Sequence, residues 1–116
     1  INLITYNSIN FLFNILDKLH YLYDFGVIIE GEARGADTLA RQWAEYNHIS
    51  VLAFPANWEL HGKAAGSIRN TQMLTEGKPE LVIAFYKDIK NSKGTLNMIC
   101  QANKAGIPVY LYACSY

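Results

Sequence analysis

The sequence predicts an α/β fold in which a mostly parallel sheet lies between layers of helices. Short, continuous apolar runs such as Val27-Ile28-Ile29 and Leu81-Val82-Ile83-Ala84-Phe85 have strand length and the composition of strands buried on both faces. Between them apolar residues recur at helical spacing. Glycine turns join the two kinds of segment, so strands alternate with helices along the chain.

Ile9, Leu12, Phe13, Leu16, Leu19 and Leu22 keep a helical phase, with Asn14, Asp17 and Lys18 on the other face, and Gly26 is expected to end this first helix. The strand Val27-Ile28-Ile29 then feeds a second helix carrying Leu39, Ala40, Trp43 and Ala44. Ser50-Val51-Leu52-Ala53-Phe54 is the next strand, stopped by Pro55. A polar segment with Trp58, His61 and Gly62 crosses to a helix from about Ala64 to Glu76, the least periodic of the set. Gly77-Lys78-Pro79 breaks the chain before the strand at Leu81 to Phe85. A last helix, with Leu96, Ile99, Cys100 and Asn103 in phase, runs from Gly94 to Gly106, and Pro108-Val109-Tyr110-Leu111-Tyr112 is the final strand. Ile1-Asn2-Leu3-Ile4 is short for a first strand, which takes about 5 residues and a turn, so residues are expected to be absent between Ile4 and Thr5.

A chain of 116 residues, 51% hydrophobic and 17% charged, suits one domain with one core. Ten basic residues balance ten acidic ones, which argues against field-driven attraction to nucleic acid or to an anionic membrane. Any polyanion site must then be local. Cys100 and Cys114 sit in apolar sequence without metal-knuckle or redox spacing and read as buried thiols of a reducing compartment. No apolar run approaches the ~18 residues of a membrane span, and a cytoplasmic location is expected.

The richest site signal is Gly31-Glu32-Ala33-Arg34-Gly35-Ala36-Asp37. Glycines at a strand-to-helix turn let backbone amides approach a phosphate, the helix start favours negative charge, and Arg34 adds a planar cationic fork. Asp37 could cap the helix or accept a ribose hydroxyl; the same loop also suits a plain capped turn with a solvated arginine. A second signal is the small-residue helix start His61-Gly62-Lys63-Ala64-Ala65-Gly66-Ser67-Ile68-Arg69-Asn70. His61 and Trp58 there serve structural roles as readily as functional ones. Asn91-Ser92-Lys93-Gly94-Thr95 opens the last helix and is the third. All three turns are expected at the carboxyl ends of strands, where ligands of such sheets bind. No paired carboxylates, serine elbow, P-loop lysine or metal-ligand spacing is present, and Glu32 and Glu59 read best as solvated carboxylates.

The run Ala33-Arg34-Gly35-Ala36-Asp37, followed by Phe54-Pro55-Ala56-Asn57-Trp58, the segment from His61 to Gly66, Ile68-Arg69-Asn70, Met73-Leu74 and Gly94-Thr95, closely resembles the YspA-like, YpsA-related SLOG family. These motifs span residues 26 to 112. The superfamily also includes the DNA-processing protein A and the Lonely Guy phosphoribohydrolases. The resemblance implies a single Rossmann-like three-layer sandwich with a mostly parallel sheet over residues 1–116, a phage or bacterial setting, and a nucleotide-like ligand.

Three departures from the family pattern matter. The Gly-Ser-Arg that usually follows the first strand is absent, the final loop lacks the usual paired glycines, and Met98 stands where the Lonely Guy enzymes carry a catalytic glutamate. Met98 cannot stabilise an oxocarbenium charge. Binding or sensing of a nucleotide, ADP-ribose or a related derivative is therefore expected ahead of catalysis, with no catalytic residue named, no metal and no cofactor beyond that ligand.

The expected ligand-binding set is Gly31, Ala33, Arg34, Gly35, Asp37, Lys63, Gly66, Arg69, Asn70, Lys93, Gly94 and Thr95. One alternative is a nucleoside-phosphate glycosidic hydrolase using Glu32 or Glu59. The other is single-stranded nucleic-acid binding along Arg34, Lys63, Arg69 and Lys93 with Trp58 stacking. Tyr110, Tyr112 and Tyr116 on an end strand suit an interface between copies of the chain.

Overall fold

The computed structural model describes residues 6–87 and 92–113, with side chains from residue 9 onward. Helix α1 (Tyr6–Tyr23) is followed by β1 (Val27–Glu30), α2 (Ala36–Tyr46) and β2 (Ser50–Ala53). A one-turn helix α3 (Trp58–His61) and a 3-10 turn (Gly62–Ala64) lead into α4 (Ala65–Thr75), then β3 (Val82–Tyr86), α5 (Lys93–Lys104) and β4 (Val109–Ala113).

The helical spacing of α1 puts Leu12, Leu16 and Leu19 on one buried stripe. Leu12 and Leu16 form one cluster with Leu39, Trp43 and Ala44 of α2, which occupy the matching stripe there. Trp43 is 1% exposed, so its indole N–H needs a partner; it donates to Asp17 Oδ1 at 2.8 Å. Ile28 and Val51 from the first two strands and Ile83 and Phe85 from β3 pack against the same cluster. The hydroxyls of Tyr23 and Tyr110 share a hydrogen bond, tying the end of α1 to β4.

Helix α1 is closed by Asp24 rather than by Gly26. Asp24 takes the left-handed conformation (φ 52°) and donates its amide to His20 O at 2.8 Å, and His20 Nδ1 accepts from the Phe25 amide. A side chain thus supplies the local bond that lets an aspartate stand where a glycine was expected.

β1 and β2 pair in parallel from Val27↔Ser50 to Glu30↔Ala53, and β3 and β4 pair in parallel from Val82↔Val109 to Tyr86↔Ala113. Each pair is bridged by one helix, α2 or α5, giving two βαβ units. The single sheet expected from the sequence is not formed among the described residues, because β1 and β3 are not paired with each other. The segment Ile1–Ile4, expected as a further strand, lies outside those residues, as do Asn91, Cys114 and Tyr116. β2 is also less covered than its apolar run suggested: Ser50, Leu52 and Ala53 are exposed.

Cys100 corrects a second expectation. It is exposed on α5, whose buried residue is Ala102, so the apolar sequence around it does not translate into a buried thiol.

Candidate functional site

A cleft of about 900 Å³ runs along β1 and β3. Every residue of 27–30 and of 81–85 lines it, and since successive residues of a strand point to opposite faces, the cleft meets the strands along their edges. Beyond the carboxyl ends of the strands the lining continues into Ala33, Arg34 and Asp37, then Arg69 and Asn70, then Lys93, Gly94 and Thr95. All three sequence signals therefore contribute to one cleft.

The first loop is held by its own carboxylates. Asp37 Oδ2 accepts from the amides of Gly31 (3.0 Å) and Ala33 (3.1 Å), and Glu30 Oε2 accepts from the Glu32 amide (2.6 Å). Glu32 (φ 55°) and Gly35 (φ 81°) both have positive φ, and the three successive amides of Gly31, Glu32 and Ala33 all bond these two acids. Those amides are thus already paired. The donors left for an anion here are the first-turn amides of α2, whose N-cap Gly35 has no side chain with which to cap them.

Helix α4 ties this loop to the last one. Arg69 Nη1 donates to Gly31 O at 2.6 Å, and Arg69 Nε donates to Asn70 Oδ1 at 3.0 Å. Asn70, 5% exposed, spends its amide hydrogens on Gly94 O and on Asn97 Oδ1, both at 3.1 Å. The relay Gly31–Arg69–Asn70–Gly94 fixes the two loops relative to each other and leaves Nη2 of Arg69 outside both bonds. Asn70 thus orients the Arg69 guanidinium.

At the start of α5, the N-cap Ser92 makes no side-chain capping bond to the helix, and Leu96 N bonds Ser92 O at 2.9 Å. A Cβ on Gly94 would meet nothing within 4 Å among the described residues. Lys93 and Arg34 are exposed, on α5 and on the first loop respectively.

Four expected residues do not line the cleft. Gly31 and Gly35 are buried in the loop, where Gly31 supplies the carbonyl that holds Arg69. Gly66 lies in the first turn of α4, near the Trp58 ring and Arg69 Nη2. Lys63 is exposed on the 3-10 turn. Trp58, 60% exposed, also lies off the cleft, as do Glu32 and Glu59, both exposed as solvated carboxylates would be.

The sequence reading passed over Glu30. This residue lines the cleft at the end of β1, is 2% exposed, and has a buried Oε1 without a hydrogen-bond partner among the described residues. Burial raises its carboxyl above the ordinary carboxylate value, with Asp37 and Glu32 adding to the rise and the Glu32 amide bond and Arg41 opposing it. The available signal was a charged residue ending a run otherwise typical of a doubly buried strand. Met98 lines the same cleft. Among the described residues no group of three or more His, Cys, Asp or Glu is placed to hold a metal ion, and no helix is long and apolar enough to cross a membrane.

A family model described as the YspA, cpYpsA-related SLOG family matches residues 4–61. The chain is 38% identical over 100 residues to the gene 61 protein of Mycobacterium phage D29, an alignment that covers 82% of this chain and 78% of the phage protein. No solved structure matches it.

Proposed function

The chain belongs to the YspA, cpYpsA-related SLOG family, and on that premise we propose that it binds or senses a nucleotide, ADP-ribose or a related phosphate-bearing nucleotide derivative. One observation carries the reading: the starts of α2 and α5 open on the same cleft together with Arg34 and Lys93. First-turn amides and the helix dipole favour an anion at each start, and the two cations add charge-assisted donors around it. The relay through Arg69 and Asn70 holds the starts in register, so the donors are preorganised.

Binding is favoured over glycosidic hydrolysis because Met98 stands in the cleft at the position of the expected glutamate, Glu32 and Glu59 stay outside it, and of the acids in the cleft Asp37 is spent on the amides of Gly31 and Ala33. It is favoured over a single-stranded nucleic-acid track because Lys63 and Trp58 lie off the cleft. Calorimetry with AMP, ADP, NAD and ADP-ribose tests the reading. At least one should bind, and Arg34→Ala should weaken it by about 1.5 kcal/mol, the scale of a charged hydrogen bond. An absence of heat for every member of the panel overturns it.

A further inference from the structure

Side-chain amides join α4 to α5. Asn97 Oδ1 accepts from Asn70 Nδ2 at 3.1 Å and from Gln101 Nε2 at 2.7 Å, and Asn97 Nδ2 donates to Ser67 Oγ at 3.3 Å. Gln101 Nε2 also donates to Ser67 O at 3.3 Å, and Gln101 Oε1 accepts from Thr71 Oγ1 at 2.9 Å. We infer that Asn97 is a positioning residue for the anion site: through Asn70 it holds the Arg69 guanidinium and the start of α5 where the cleft meets a phosphate, an inference that rests on the nucleotide reading above. Asn97 itself is not part of the cleft lining.

The bonds have one consistent direction. Arginine only donates, so Arg69 Nε requires Asn70 to turn its oxygen that way, which sends both amide hydrogens of Asn70 toward α5. Gly94 O takes one of them. Asn70 is buried, so the other needs an acceptor too, and Asn97, three residues on and on the same side of the helix, supplies it only with its oxygen. Gln101 opposes a reversal of Asn97, because its Nε2 uses that same oxygen while its Oε1 faces the Thr71 hydroxyl. Removing the Asn97 oxygen leaves a hydrogen of Asn70 unpaired, and any shift of Asn70 toward a new acceptor strains its bonds to Gly94 O and Arg69 Nε. Those two bonds set the guanidinium and the α5 start relative to each other.

Calorimetry of the full chain with AMP, ADP, NAD and ADP-ribose tests this on the wild type, Asn97→Leu, Asn70→Ala and the double variant. Leucine is close to asparagine in size and offers no acceptor, so Asn97→Leu should bind the tightest of these nucleotides about fivefold more weakly, the scale of one net hydrogen bond. Asn70→Ala should lose at least as much, and adding Asn97→Leu to it should weaken binding no further. A residue that merely stabilised α5 would instead give losses that multiply. Unchanged affinity in Asn97→Leu, or losses that multiply in the double variant, overturns the positioning role and leaves the nucleotide reading standing. No binding of any nucleotide by the wild type overturns both. The wild type without ligand gives a second measurement by NMR, which stands even if Asn97→Leu does not fold: the side-chain amide protons of Asn70 and the Nε proton of Arg69 should exchange slowly with solvent. Fast exchange of these protons overturns the inference as well.

Discussion

The guanidinium of Arg69 lies so close to Gly31 that a methyl group on the glycine would sit 2.6 Å from Arg69 Cδ and 2.7 Å from Nη1. Only the absence of a side chain allows Nη1 to reach the Gly31 carbonyl. Gly31→Ala should leave the backbone in place and expel the arginine, at a cost of about 1.5–3 kcal/mol for the lost charged hydrogen bond. Arg69→Ala should cost a similar amount, and the double variant little more than either single one. Urea denaturation of the three variants checks this; simply additive losses would show that the two residues do not act as a pair.

Glu30 makes stability depend on pH. Its folded-state carboxyl is raised above the ordinary value of 4.5, so between the unfolded and folded values the folded chain holds a proton that the unfolded chain has released. Stability is then intact below the unfolded value and declines as pH rises through the folded one. Glu30→Gln removes that dependence. Its melting temperature should exceed the wild type's at pH 7, with the gain shrinking to nothing by about pH 4. A gain that grows on acidification contradicts the sign.

Helices α2 and α5 end in the same way with different residues. Ile49 N bonds Ala44 O behind a left-handed His48 (φ 58°), and Ile107 N bonds Ala102 O behind a left-handed Gly106 (φ 74°). His48→Gly should therefore stabilise the chain by about 1 kcal/mol, the strain that a Cβ adds in this conformation. Gly106→Ala should cost about the same in the same thermal or urea measurement.

Two glycines bracket what a methyl group does in this fold. At Gly77 a Cβ would meet the main-chain oxygen of Met73 at 2.4 Å and Ile29 Cδ1 at 3.1 Å, whereas at Gly94 it would meet nothing within 4 Å. Backbone cannot step aside as a side chain can, so Gly77→Ala should destabilise by about 1–3 kcal/mol. Gly94→Ala, within α5, should be neutral or gain up to about 1 kcal/mol from helix propensity. Equal effects at the two positions would contradict the packing described.

Much of the fold is legible because it is periodic. The stripe Leu12, Leu16 and Leu19, the pair Leu39 and Trp43, and the apolar run before Tyr86 each report one element without reference to any other. What was not legible depends on distant groups. The turn at Trp58–His61 is too short to show a period. The left-handed Asp24, Glu32 and His48 violate the glycine preference because local hydrogen bonds or a helix exit hold them there. The separation of β1 from β3 is a matter of long-range pairing that no local run encodes.

The site divides in the same manner. The three turns that line the cleft could be read from glycine, small and cationic residues at helix starts. That the amides of Gly31 and Ala33 belong to Asp37 could not, since the bonds span six and four residues in no standard capping pattern. Nor could the burial of Glu30, which runs against the solvation preference of its side chain and is imposed by what surrounds β1.

Along the cleft, β1 and β3 each have a strand partner on one side alone among the described residues. Alternate amides of a strand point to alternate sides, so one set is bonded toward β2 or β4 and the other is turned to the opening. In deuterated water this imposes a two-residue rhythm on the labelling of each strand, fast and slow by turns. A molecule lodged between the units would slow the fast set first, which makes that rhythm a residue-level gauge of occupancy.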